Sequence, residues 1–186
     1  MSMPNIPDMT NLPRPVWLAV RELNLSDEWR ARWVDNEPIP DDTPIVSAYA
    51  VLVCDRKGYV TRAAGTPNWG VVEDVVAPNE SGEQWAARAC HDQAAATLAR
   101  TDLIGYLDCR ATTHNPTFPV GAATIRPVYL AVAESVNELG KGAAFERRRL
   151  PLNEFASAIR TRYPELHEQL SLALNRYLVL QAKGEA

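Results

Sequence analysis

The chain predicts an α+β fold, an α/β/α sandwich in which a mixed β-sheet carries flanking helices. Three observations carry this. Ile45 to Cys54 is apolar on both alternating faces, as a strand covered on both sides must be. The alanine-rich stretch from Ala86 to Ala99, opened by Ser81 as an N-cap, favours helix through propensity and capping together. Leu166, Leu170, Leu174 and Tyr177 then form one apolar stripe at helical spacing, with Pro164 at the helix start.

The remaining elements follow in order. Residues 1–44 read as a Pro/Trp-rich N-terminal extension, with seven of the 14 prolines and three of the five tryptophans. Val16–Leu23 fits a strand or a helix, and Ser26 reads as the N-cap of a short helix through Trp33. Tryptophans at this density are costly in water, so the extension is expected to pack on the main domain or on a second subunit, making a homodimer. Residues 45–182 form the domain proper. Asp55-Arg56-Lys57-Gly58 predicts a hairpin turn with Gly58 in the left-handed position. Tyr59–Ala63 returns as a strand, and Val71–Val76 is a short strand entering the Pro78-Asn79 turn. Leu103–Leu107, Ile125–Ala133 and Phe145–Leu150 read as further strands. Pro127 predicts that its strand lies at an edge or starts there. Leu152, Phe155 and Ile159 mark a short amphipathic helix.

Composition excludes several classes. A net charge of −4 gives no basic face for nucleic acid. No apolar run approaches the roughly 20 residues of a membrane span, and no signal peptide is visible. The three cysteines, Cys54, Cys90 and Cys109, make no metal spacing or redox pair and read as buried thiols in a reducing, cytoplasmic setting.

The chemistry-bearing segment runs from Trp69 to Ala96. Trp69-Gly70 leads into Val71-Val72-Glu73-Asp74, a Pro78-Asn79-Glu80 turn follows, and Arg88 stands eight positions after Glu80. On the helix, Ala89, Asp92 and Gln93 share a face at i, i+3, i+4. This arrangement resembles the Nudix (MutT-like) family, whose motif is a Gly, five residues, a Glu, seven residues, then Arg-Glu-U-x-Glu-Glu-x-Gly-U, where U is a bulky aliphatic. Trp69, Gly70, Pro78, Glu80 and Arg88 match the motif and its usual lead-in and turn. The later Phe145-Glu-Arg-Arg-Arg-Leu-Pro-Leu-Asn-Glu-Phe155 stretch is similar to the family's strand followed by Pro-Leu-x-Glu-Leu. The resemblance covers roughly residues 45–180.

The departures define the functional expectation. The motif's first Gly is Asp74, the Pro-Gly before it is Val72-Glu73, its helix glutamates are Ala89, Asp92 and Gln93, and its closing Gly is Ala95. In the family those glutamates hold Mg²⁺ or Mn²⁺ against a diphosphate, because a hard cation wants anionic oxygens. Going from three carboxylates to one removes several kcal/mol of attraction. The resemblance, with its degenerate box, therefore implies a non-hydrolytic ligand-binding or interaction module with no cofactor, whose partner is a small diphosphate-containing ligand. The alternative is a divergent hydrolase of a nucleoside diphosphate linked to another moiety, using Mg or Mn. Asp92 and Glu80 are then the candidate catalytic residues and metal ligands. Glu73, Asp74, Arg88, Gln93 and His114 are candidate binding residues, and Glu134, Glu138 and Glu146 candidate bases. Glu80 and Arg88 also read as a structural ion pair, and His91 points about 100° away from Asp92.

Overall fold

The computed structural model describes residues 22–35 and 37–185. Eight strands form one sheet: β1 (Glu22–Ser26), β2 (Trp29–Asp35), β3 (Ser47–Cys54), β4 (Lys57–Ala63), β5 (Val72–Val75), β6 (Ala96–Ala111), β7 (Ala123–Val136) and β8 (Phe145–Pro151). Three helices flank it: α1 (Gly82–Ala94), α2 (Leu152–Arg162) and α3 (His167–Lys183). The strand order is β1-β2-β6-β7-β3-β4-β8, with β5 paired to β3 off this path. The β3–β7 pair is parallel and the others are antiparallel.

The two-sided apolar character of β3 is explained by its place between two cores. Ala48, Ala50 and Leu52 face a cluster with Trp85, Ala86, Ala89 and Cys90 of α1. Tyr49, Val51 and Val53 face a larger cluster with Phe155 and Ile159 of α2 and Leu170, Leu174 and Tyr177 of α3. Ser81 caps α1 in a reciprocal box with Gln84, each side chain bonding the other's backbone N–H.

Three local predictions are corrected. Where the sequence predicts a helix from Ser26 to Trp33, the chain forms the β1–β2 hairpin. Trp29 and Ala31 point into the larger core while Arg30 and Arg32 stay exposed, a period of two that pairing with β6 rewards. This part of the extension belongs to the sheet, and residues 1–21, including Trp17, lie outside the described residues. Helix α1 stops at Ala94 rather than running to Ala99. Ala95 takes a left-handed conformation, φ 50° and ψ 37°, and returns its N–H to Cys90 and His91 carbonyls, a conformation that costs a non-glycine residue about 1 kcal/mol. Pro127 lies within β7, between β6 and β3, and continuous pairing with β3 begins only at Val128.

Gly58 has a different role from the one predicted. The left-handed residues of the β3–β4 turn are Asp55 (φ 48°) and Arg56 (φ 59°), the two-residue loop that matches strand twist. Gly58 is required by packing, because a Cβ there would overlap the Phe155 ring. Gly58→Ala is expected to lower stability by about 1–3 kcal/mol through overpacking. Urea denaturation in a Phe155→Ala background checks this, since there the added methyl should cost little or nothing.

Candidate functional site

The site is built outward from α1. Arg88 projects from its middle turn, and the turn before α1, with Asn79 at φ 64°, brings Glu80 beneath it. Arg88 Nε donates to Glu80 Oε1 at 2.6 Å and Nη2 donates to Oε2 at 2.9 Å, a bidentate pair. Its Nη1 donates to Asp74 Oδ2 at 2.8 Å and Nη2 also reaches the Val75 carbonyl at 3.0 Å. Glu80 Oε2 further accepts the Ala77 N–H at 2.9 Å. The Arg88 hydrogen bond holds the Glu80 carboxyl below the usual carboxylate range. A lone surface ion pair contributes about 0–1 kcal/mol, but a bidentate, networked one is the exception in which the contribution counts.

The three neighbouring helix positions differ in environment. Ala89 is fully buried in the core beneath α1. Gln93 is also buried and both ends of its amide are used: Thr61 Oγ1 donates to Oε1 at 2.9 Å, and Nε2 donates to the Glu73 carbonyl at 2.8 Å. Asp92 is exposed, 4.0 Å from Arg88 Nη1 and 3.5 Å from His91 Nδ1. Among the described residues no group of three or more His, Cys, Asp or Glu has the arrangement to hold a metal ion. Arg88 engages Asp74 and Glu80 already, so the donor set does not fit a hard divalent cation.

A second feature arises from the sheet itself. Strand β3 pairs β5 along Ser47–Ala50 and β4 along Leu52–Cys54, so its two neighbours diverge like a fork. Thr61 and Gly70 bridge the fork by two backbone hydrogen bonds of 2.8 and 2.9 Å. A cavity of about 280 Å³ lies on the α2/α3 side, lined by Tyr49, Glu73, Arg126, Arg162, Tyr163 and Glu165 among others. Glu73, Arg162 and Tyr163 also line a second cavity of about 170 Å³, which reaches Thr61 and Gln93. Gly70 lets the Tyr163 hydroxyl approach, since a Cβ there would overlap it. Beside the fork, Trp69 is held between the guanidinium carbons of Arg62 at 4.4 Å and Arg148 at 4.3 Å.

Glu73 is flanked by protein on several sides yet open to solvent, as a group lining a cavity should be. Loss of water raises its carboxyl above the usual range, with Arg126 and Arg162 pulling the other way. Burial pushes the Tyr49 hydroxyl up to about 12.

Of the candidates from sequence, the fold joins Asp74, Glu80 and Arg88, with Asp92 at the margin, and it joins Glu73 and Gln93 at the fork. His114 lies in the exposed 112–121 loop and lines neither cavity. Glu146 is tied to Arg62 at 2.6 Å, and Glu134 and Glu138 are exposed away from both cavities. Sequence reasoning missed Tyr49, Arg126, Arg162 and Tyr163. The available signal was Arg126 itself, a lone charge in the apolar run from Ala122 to Ala133.

No protein-family model matches the sequence, and no curated protein matches it. Solved structures do. The fold is similar to that of the pyrophosphohydrolase BsRppH of Bacillus subtilis, with a TM-score of 0.55 and 13% identity over 70% of this chain and 77% of that one. It is similar to the Nudix domain of Shewanella oneidensis NrtR complexed with ADP ribose, with a TM-score of 0.50 and 16% identity over 76% and 93% of the two chains. An ADP compounds hydrolase gives 0.51 and 13% over 85% and 88%. The chain therefore has a Nudix fold; identities this low establish the fold alone. Among the described residues, no helix is long and apolar enough to cross a membrane.

Because the folded-state value of Glu73 is raised, its ionisation opposes folding. The penalty is absent below the usual carboxylate value, grows as pH rises through it, and is complete above the shifted value. Glu73→Gln is accordingly expected to raise the melting temperature more at about pH 8 than at about pH 4. Thermal melts of both proteins at the two pH values check this, and an equal gain at both would contradict it.

Proposed function

We propose that this Nudix-fold protein binds a small diphosphate-containing ligand, of the nucleoside-diphosphate class, without hydrolysing it, and acts as a ligand-binding or interaction module in the cytoplasm. The observation that carries the reading is Arg88. Its guanidinium stands as a fixed internal cation among Asp74, Glu80 and, more distantly, Asp92. A metal recruited there would have to break three charge-assisted hydrogen bonds between Arg88 and those two nearer carboxylates. The neighbouring helix positions, Ala89 and Gln93, offer no anionic oxygen. The fork supplies a cavity for the ligand.

The competing reading is a divergent Mg²⁺- or Mn²⁺-dependent hydrolase of a nucleoside diphosphate linked to another moiety. What favours it is that Asp74 and Glu80 both meet Arg88 and Asp92 stands 4.0 Å from it, so three carboxylates surround one guanidinium. The two readings separate on turnover. With Mg²⁺ or Mn²⁺ and a panel of nucleoside diphosphate derivatives including ADP-ribose, no product is expected. Turnover of about 1 s⁻¹ or more, abolished by Asp92→Asn, would establish the hydrolase instead.

The same reading includes a homodimer through the N-terminal extension. Its support is now narrower, since Trp29 packs in its own chain's core and Trp33 against it, leaving Trp17 and the prolines before residue 22. Sedimentation velocity of the full chain is expected to give a dimer that a variant lacking residues 1–21 does not form; a full-length monomer of 20.6 kDa ends this part of the proposal.

A further inference from the structure

The cavity on the α2/α3 side of the fork holds charges that the folded chain leaves unused. Arg126 comes from β7 and is half-buried; Arg162 ends α2 and is exposed at the rim. Among the described residues neither guanidinium has a carboxylate within ion-pair distance, although both feel the field of Glu73. Arg126 is fixed from behind by the Trp29 ring, whose centroid lies 5.1 Å from its guanidinium carbon. Its Nε is fully buried and has no hydrogen-bond partner. A buried donor of a charged group without a partner is unfavourable. Buried polar groups are ordinarily partnered by protein or by ordered water, and Arg126 also lines the cavity. Tyr49 lies within hydrogen-bonding reach of both Arg126 and Glu73, and Tyr163 closes the adjacent wall.

The opposite side of the sheet presents the reverse pattern. Around α1 the carboxylates Asp74 and Glu80 are satisfied by Arg88, so that region has no cation left for an anion. The two arginines of the cavity face no such competitor except Glu73 and the exposed Glu165 at the mouth.

We propose that Arg126 and Arg162 form a metal-independent binding site for a phosphate group of the ligand, with Glu73 accepting a hydrogen bond from a hydroxyl or amino group next to that phosphate. A guanidinium pair supplies directed donors that match phosphate oxygens, where a metal would supply a point charge. Tyr49 adds a hydroxyl between the two charges. Glu73 lines the same cavity and brings acceptor oxygens for a donor beside the phosphate. This rests on the ligand-binding reading and assigns the recognition to the cavity, on the face of the sheet away from α1.

The test is calorimetric titration of the full chain with ADP-ribose, inorganic pyrophosphate and inorganic phosphate, each in excess EDTA. Binding of at least one of the three in EDTA is expected, with ADP-ribose tightest if the donor next to the phosphate is used. Arg162→Gln, at an exposed position where the fold does not depend on it, and Arg126→Gln should each weaken binding about tenfold or more, the loss expected for a charged hydrogen-bonding partner. Lys141→Gln, an exposed charge that lines neither cavity, should leave it unchanged. Thermal melts confirm that the variants are folded, and Arg162→Gln alone decides the matter should Arg126→Gln unfold. The proposal is overturned by any of three results: no binding of all three probes, binding that needs Mg²⁺, or binding indifferent to Arg162→Gln. Metal-free binding indifferent to both arginines would sink this site while leaving the ligand-binding module standing. Turnover would sink the module reading and leave the arginine dependence to be read separately from the affinity in EDTA.

Discussion

The guanidinium of Arg88 ties together three pieces of chain: a helix, the turn before it and a strand. It belongs to α1, it clamps Glu80 in the turn before that helix, and it reaches Asp74 and the Val75 carbonyl on β5. The placement of α1 over β3 and β5 thus depends on charge as well as on the alanine packing beneath it. One planar cation with five donors can hold two carboxylates and a carbonyl at once, which an ammonium group cannot match in direction. The same contacts decide the chemistry of the region. Carboxylates engaged by a covalently attached cation have fewer lone pairs for another, so a metal arriving at α1 would compete with Arg88 for them.

A second constraint is the divergence of β4 and β5 from β3. A continuous sheet would separate the two faces completely. Here the fork, closed at one end by the Thr61–Gly70 bridge, lets groups from both faces line one opening. Gln93, from the α1 side, donates to the carbonyl of Glu73, whose side chain belongs to the cavity on the far side. That single amide therefore links the helix to the residue at the centre of the cavity. The amide is buried and bonded at both ends, which fixes α1 against β4 and β5 at this point.

Much of this was legible in the residues, for identifiable reasons. The buried strand β3 and the helices α1, α2 and α3 announced themselves through local pattern and capping. The Glu80–Arg88 pair was legible as a pairing of opposite charges, but it is the Pro78-Asn79 turn before α1, not helical spacing, that brings Glu80 to Arg88. The resemblance also located Ala95: the family's closing glycine position is here an alanine, and the backbone still turns left-handed there. What was not legible depends on distant partners. Ser26 looked like a helix cap because its local chemistry suits one, yet Trp29, Ala31 and Trp33 alternate, and only pairing with β6 decides between the two. Gly58 looked like a turn residue, while its reason lies almost a hundred positions later at Phe155. Arg126, Arg162 and Tyr163 come from separate elements, and no spacing in the chain relates them to Glu73.

Strand β8 ends the sheet, and its backbone on the outer side has no strand beside it among the described residues. Bare edges of this kind invite a second chain to add on. Arg147, Arg148 and Arg149 occupy consecutive places there, with Arg149 and Arg148 open to water. Two copies approaching rim to rim would bring their exposed Arg149 side chains together, while Arg148 lies over Trp69 and Arg147 is turned back to the Ala94 carbonyl. Like charge carried on that rim weighs against edge-to-edge addition, more at low ionic strength than in salt.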